Sequence, residues 1–258
     1  MSKRKHKSSP PTTSPLSDAL ARFQPLLSAA EFARLQAELQ RPLHLSLRAN
    51  PLKCPQPAQS AAEWAARYAW QLQPVPYCPA GWWVTQFQSP PSQALEHHMG
   101  HFYIQDAASM LPVELFDFAG LESPLILDLA ASPGGKTTHL ISRAADRGLT
   151  IANDSSLDRI QALRIVLQNW GALTSAVAHY PGEKYGAWYP ETFDRVLLDA
   201  PCSMQGLRST EAHPMRPITA REQQALARRQ LRLLQSAFQA IKVGGQVVYS
   251  TCTLAPEE

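Results

Sequence analysis

A chain of 258 residues with 45% hydrophobic side chains is long enough for one large domain or two modest ones and can bury a sizeable core. No run approaches the roughly 18 apolar residues of a membrane span, and the polar N-terminus lacks the apolar stretch of a secretory signal, which predicts a globular, cytoplasmic protein. The net charge of +3 is a mild pointer to a polyanionic partner, and much of the excess sits in Lys3, Arg4, Lys5 and Lys7. Residues 1–15 accordingly read as a disordered basic and Pro/Ser/Thr-rich tail with charge to offer phosphates. The four cysteines, Cys54, Cys78, Cys202 and Cys252, show no close zinc-type pairs and are too few to staple the chain, so reduced thiols and no metal are expected.

Residues 16–40 carry apolar side chains at helical spacing (Leu20, Phe23, Leu27, Phe32, Leu35, Leu39) and predict two short helices broken near Pro25–Ser28. Strict alternation over 43–49 predicts a strand, 61–68 a helix, and 71–76 and 82–87 two strands about the turn at 79–81. Residues 16–100 thus read as a small α+β module, rich in proline and aromatic residues, whose composition suits RNA binding. From about His101 buried strands alternate with amphipathic helices: strands 125–129, 149–153, 175–179, 195–199 and 246–250, and helices 137–145, 157–170 and 220–241. That alternation predicts an α/β fold over 101–258, a doubly wound, mostly parallel Rossmann-like sheet with ligands at the C-terminal ends of its strands.

Leu125-Ile-Leu-Asp-Leu-Ala-Ala-Ser-Pro-Gly-Gly-Lys-Thr-Thr ends a strand with an acid, crosses a small-residue turn and opens a helix. As a phosphate site it is a near miss to the P-loop, with Ala130 for the first glycine and Asp199 as a magnesium ligand. As a site for S-adenosylmethionine, residues Ala130, Ala131, Ser132, Pro133, Gly134, Gly135 and Lys136 form the loop, and Asp128 orients it or the cofactor's amino group. Asp154, about 20 residues further on, discriminates between the two, since an acid there can hold both ribose hydroxyls and a P-loop has no need of it. A lone Asp154 could equally cap the helix that follows.

Cys202, in Asp199-Ala-Pro-Cys-Ser203, and Cys252, in Ser250-Thr-Cys-Thr253, each follow a predicted strand on the ligand side of the sheet, whereas Cys54 and Cys78 read as buried apolar residues. Thiolate addition at C6 of a pyrimidine turns the unreactive C5 into an enamine carbon able to attack a sulfonium methyl. A second thiol or an acid can help remove the C5 proton, and Asp199 can hydrogen-bond the cytosine N3/N4 edge.

These residues resemble the Sun/NOP-type RNA 5-methylcytosine methyltransferases, and within them the bacterial branch that modifies small-subunit ribosomal RNA. Leu47-Arg-Ala-Asn-Pro-Leu-Lys53 is similar to an Arg-x-Asn-Thr-Leu-Lys element of the family's N-terminal RNA-binding module. Phe102-Tyr-Ile-Gln-Asp-Ala-Ala-Ser109 looks like its lead-in to the catalytic domain, and 130–136, Asp154, Asp199–Cys202 and Ser250–Cys252 match its cofactor and cysteine motifs. The resemblance implies S-adenosylmethionine as cofactor, rRNA rather than tRNA as substrate, a monomer, Cys252 as the attacking nucleophile and Cys202 as the aid to release. Arg48 and Lys53, with the aromatic segment 64–83, are expected to line an RNA groove. The sequence departs from the family at Pro181, where an acid near the adenine is usual, and at Met204, which takes the place of a glycine. The family pattern continues beyond Glu258 into a further helix and two strands, so the catalytic domain is expected to be C-terminally incomplete. The competing readings are a catalytically silent RNA-binding or ribosome-assembly protein on the same fold and a P-loop nucleotidase.

Overall fold

The structure is a computed structural model that describes residues 20–41, 44–204 and 218–258. The basic tail lies outside the described residues. The chain divides into two compact units, one drawn from Met1–Leu43, Ser203–Ala225 and Cys252–Glu258, the other from His44–Cys202 and Leu226–Thr251.

In the smaller unit a 3-10 helix, Ala21–Leu26, precedes α1 (Ala29–Gln40), and the break falls where Pro25 and Ser28 predict it. Ser28 caps α1 in a reciprocal box: its hydroxyl accepts from Glu31 N and the Glu31 carboxylate accepts from Ser28 N. Leu20 and Phe23 are buried against Phe32, Leu35 and Leu39, the predicted apolar face. Arg22 pairs with Glu257, which also accepts from Gln223 Nε2 at 2.7 Å.

The larger unit opens with β1 (Leu45–Ala49), α2 (Pro57–Tyr68), β2 (Gln71–Pro74), β3 (Gly81–Gln86) and β4 (Phe102–Ile104). Helix α2 starts four residues before the periodicity predicts, because Pro57 is tolerated in the first turn, where its missing N–H needs no partner. The strands form an antiparallel sheet in the order β2-β3-β1-β4 around Leu47, Trp64, Trp82, Val84 and Phe102. Its edge strand β4 lies beyond residue 100. Three residues are too short for a visible alternation, and the sequence reading did not anticipate a strand there.

The second sheet comprises β5 (Leu125–Asp128), β6 (Leu149–Asn153), β7 (Ser175–Ala178), β8 (Phe193–Asp199) and β9 (Ile241–Ser250). Helices α3 (Gly135–Arg143), α4 (Leu157–Trp170) and α5 (Ala220–Ala240) join them. The order is β7-β6-β5-β8-β9 with every pair parallel, the α/β class expected. Val196, Leu197 and Leu198 are all buried, as in a strand covered on both faces. Strand β9 starts earlier than predicted: Phe193 pairs with Ile241 but Arg195 with Gln246, so an irregularity absorbs Val243-Gly-Gly. The strand order reverses between β5 and β8, so a crevice opens beyond the C-terminal ends of these two strands.

Three side chains of one short element tie β1 to the second sheet's helices. Asn50 Nδ2 donates to Gly100 O at 2.9 Å and Trp170 O at 2.7 Å, while Asn50 Oδ1 accepts from Leu52 N at 3.0 Å. Lys53 and Arg48 make the other two ties. Asn50→Ala leaves two buried carbonyls without a donor and should cost about 1–3 kcal/mol, read as a lowered thermal unfolding midpoint; an unchanged midpoint would show that the tie contributes nothing.

Candidate functional site

A cavity of about 240 Å³ sits at the point where the strand order reverses, walled by Tyr103, Gln105, Ser109, Asp128, the loop 130–133, Gly135, Lys136 and Asp199. Asp128 and Asp199 are the last residues of β5 and β8. Asp128 is buried; its Oδ2 accepts from Thr137 Oγ1 at 2.7 Å, and its Oδ1 has no partner among the described residues. Burial, reinforced by the nearby Asp199, pushes its pKa up to about 7, although Thr137 and Lys136 pull the other way. An unpartnered, buried acceptor in a cavity wall fits a ligand that brings a cationic N–H.

The loop is shaped by its neighbours. Ala131 N donates to Asn153 O at 2.8 Å and Ser132 N to Asp154 Oδ2 at 3.2 Å. Gly134 adopts φ +115, and a Cβ there would stand 2.9 Å from Val166. A Cβ on Gly135 would stand 3.0 Å from the Tyr103 ring. Gly134 is therefore required for the turn to lie this close to α4, and at Gly135 a larger residue would have to push the Tyr103 ring of β4 aside. Asp154 is only 2% exposed and also accepts from Ser156 N at 2.9 Å, with Arg159 3.5 Å away. It braces the loop and starts α4 and is not among the residues lining the cavity, although a carboxylate with two such bonds retains lone pairs for a ribose.

Lys136 Nζ lies 2.7 Å from Asp199 Oδ2, and Ser250 Oγ donates to Asp199 Oδ1 at 2.8 Å. In the P-loop reading this lysine would be held for phosphates; here a carboxylate of the same cavity engages it. Ser250 is the register partner of Asp199, and Cys202 and Cys252 follow three and two residues beyond these positions. All four cysteines are thiols: Cys54 and Cys78 are buried in the core, and Cys202 and Cys252 are part-exposed. In the smaller unit Ser203 Oγ and Thr253 Oγ1 lie 2.8 Å apart, joining the residues that directly follow the two cysteines. Met204 holds φ +56, the left-handed region suited to the glycine it replaces, at a cost of roughly 1–2 kcal/mol. His179, beside Pro181, has its ring nitrogen 3.3 Å from Ser155 O.

The expected RNA groove requires correction at Arg48. Arg48 is 0% exposed: Nε donates to Gln105 Oε1, and Nη2 to Gly135 O and Thr138 Oγ1. Lys53 Nζ donates to Met99 O at 2.6 Å and Asn169 O at 2.5 Å. Three of the six rings of the aromatic segment, Trp64, Trp70 and Trp82, are buried core residues, and Tyr68, Tyr77 and Trp83 are partly buried against the core. Arg48 is closed off from a polyanion by its burial, whereas Lys53 is exposed and keeps a third N–H beyond its two backbone carbonyls. Tyr103, Gln105, Ser109 and Ser250 are cavity neighbours that the sequence reading did not assign; the only signal was their place in the two family-like motifs.

Among the described residues, one group of three possible metal ligands lies elsewhere: Cys78, Glu114 and His139, with ligand atoms within 4.8 Å of one another. Arg143 holds the second Glu114 oxygen at 2.8 Å, and burial pushes the Cys78 thiol up to about 12 and His139 down to about 4. As it stands the cluster is a neutral thiol and imidazole beside an ion pair.

The family described as 16S rRNA methyltransferase RsmB/F matches residues 118–258, and the N-terminal domain of 16S rRNA methyltransferase RsmF matches residues 17–107. Ribosomal RNA small subunit methyltransferase F of Vibrio cholerae is 40% identical over 233 residues, covering 88% of this chain and 48% of that protein. The protein of the same name from Escherichia coli O1:K1 is 38% identical over 237 residues, covering 90% and 48%. The chain thus spans about half the length of the curated relatives it matches. Among solved structures, a methyltransferase homolog from Pyrococcus horikoshii superposes with TM-score 0.77 at 28% identity, over 95% of this chain and 79% of that one. NSun6 from Pyrococcus horikoshii, solved with SFG, shares the fold at TM-score 0.79 and 20% identity, over 93% and 84%.

The raised Asp128 makes folding sensitive to pH in a definite direction. A carboxyl whose folded value lies near 7, above its usual 3.8, contributes stability that is present below 3.8 and lost as pH rises through about 7. Asp128→Asn should therefore flatten the fall in urea midpoint between pH 4 and 7, and parallel profiles for the two proteins would contradict the assignment.

Proposed function

The chain belongs to the RsmB/F family of 16S rRNA methyltransferases, and on that premise we propose that it methylates C5 of a cytosine in small-subunit ribosomal RNA, with S-adenosylmethionine as donor and Cys252 as nucleophile. The observation that carries the cofactor is the unpartnered Asp128 Oδ1 in the wall of the cavity at the strand reversal. It suits the donor's amino group, and the backbone of 130–135 suits close approach of the remainder. Asp154, behind the loop, is the acid for the ribose hydroxyls. When bound, the donor supplies a methyl group on a sulfonium.

The protein's own groups do the rest. The Cys252 thiolate adds to C6 of the cytosine while Asp199, held by Lys136 and Ser250, hydrogen-bonds the N3/N4 edge and favours build-up of electron density at C5. After C5 has taken the methyl, a base removes the C5 proton, the C6–sulfur bond breaks, and Cys252 leaves as thiolate; Cys202 assists this elimination. A flipped or unpaired cytosine is the form such a site accepts.

Titration with S-adenosylmethionine and, separately, with ATP and magnesium should give heat only with the first; tight magnesium-dependent ATP binding without the other would restore the nucleotidase reading. The two cysteines differ in their expected trapping. With labelled RNA and donor on a denaturing gel, Cys202→Ala should accumulate a covalent protein–RNA band, because addition and methyl transfer proceed but release is slow. Cys252→Ala should give neither band nor methylation. The opposite pattern would make Cys202 the nucleophile, and a folded, RNA-binding chain that forms no adduct and transfers no methyl would point to the silent RNA-binding protein.

A further inference from the structure

Arg48 is fully buried, and among the described residues no carboxylate hydrogen-bonds it. Its three acceptors are Gln105 Oε1 at 2.9 Å, Gly135 O at 2.9 Å and Thr138 Oγ1 at 2.8 Å, and its guanidinium carbon lies 4.6 Å from the Trp170 ring centroid. Burial lowers its pKa only to about 10, so the group stays charged at neutral pH. A desolvated cation whose hydrogen bonds go to uncharged acceptors is tolerated when those bonds are charge-assisted and its face rests on an aromatic ring, and the Glu114 carboxylate favours the charge from a distance.

Two of those acceptors belong to residues on different walls of the cavity. Gln105 stands on the segment after β4 and passes the contact on, donating from Nε2 to Ser109 O at 3.1 Å; Gly135 stands on the turn into α3. Arg48 does not line this cavity. It spans from one wall to the other from behind, with a planar fork that a single ammonium cannot reproduce. Lys53, five residues on, makes a comparable tie to Met99 O and Asn169 O, neither of which belongs to a residue lining this cavity.

We propose that Arg48 is a positioning residue for the cofactor site: it fixes the spacing between the Gln105 and Gly135 walls, so that donor affinity depends on a residue that never touches the donor. The inference rests on the reading of this cavity as the S-adenosylmethionine site. It makes the first sheet a structural part of cofactor binding, since Arg48 is a β1 residue.

The test is calorimetric titration of S-adenosylmethionine and of S-adenosylhomocysteine into the unaltered chain, Arg48→Lys, Arg48→Met, Thr138→Val and Lys53→Met, with a thermal midpoint for each. Losing charge-assisted bonds that set the wall spacing should weaken both ligands about tenfold or more in Arg48→Lys and further in Arg48→Met. Thr138→Val, which removes one acceptor at nearly constant volume, should lose a smaller factor. Lys53→Met should lower the midpoint yet keep affinity within about twofold, which separates positioning from general destabilisation. Should Arg48→Met fail to fold, Arg48→Lys and Thr138→Val carry the comparison. Folded Arg48→Lys that binds both ligands as the unaltered chain does would overturn the proposal, as would an equal loss in Lys53→Met. Failure of the unaltered chain to bind either ligand would instead remove the cofactor reading, and the proposal with it.

Discussion

One oxygen of Asp128 has no partner among the described residues, and leaving a buried carboxylate half-satisfied costs on the order of 1–3 kcal/mol or more. The fold concentrates that cost at the place where a doubly wound sheet binds ligands. The chain leaves β5 towards β6 and leaves β8 towards β9, on opposite sides of the sheet's midline, the helix that would cover the gap starts only at Gly135, and the chain between must be small enough to leave a space. The second acid, Asp199, is treated oppositely. Lys136 and Ser250 each engage one of its oxygens, so of two carboxylates at neighbouring strand ends one is oriented by protein groups with lone pairs to spare and the other keeps a whole oxygen for a ligand. Environment, not residue type, separates their roles.

The parallel sheet was legible in the sequence because its strands are short apolar runs ended by turn residues and separated by helices with a 3.6-residue period. Its C-terminal ends were legible for the same reason, and Asp128, the 130–136 loop and Asp199 all stand at those ends. Strand β4 was not, since three residues carry no periodicity and its role as the edge of the first sheet depends on pairing with β1, 53 residues earlier in the register Ala49↔Phe102. Gln105 and Tyr103 follow from β4 and were hidden with it.

Arg48 shows a different limit. Alternation over 43–49 places it on one face of a strand, but a period of two does not say whether that face meets water or another element. The usual exposure of arginine favoured a surface role, and the similarity to a family motif in an RNA-binding module reinforced it. Burial reverses the inference. The charge that suggested a phosphate partner instead engages Gly135, Thr138 and Gln105, and Lys53 and Asn50 of the same element are engaged likewise. The element works as a set of bolts between two sheets, a use that residue types alone do not distinguish from a nucleic-acid contact.

Strand register completes the argument about the thiols. Side chains alternate along a strand, so a slip of one residue between β8 and β9 would turn Ser250 away from Asp199 and shift every later residue relative to the Pro-Cys turn. The irregularity at Val243-Gly-Gly takes up the surplus residues at the far end of β9, and from Arg195↔Gln246 onward the pairing is regular through Asp199↔Ser250. The hydrogen bond from Ser250 to Asp199 pins that register at the end where the cysteine motifs begin. A serine two residues before Cys252 is therefore more than a turn-former: it aligns the strand from which the proposed nucleophile departs with the acid proposed to hold the base.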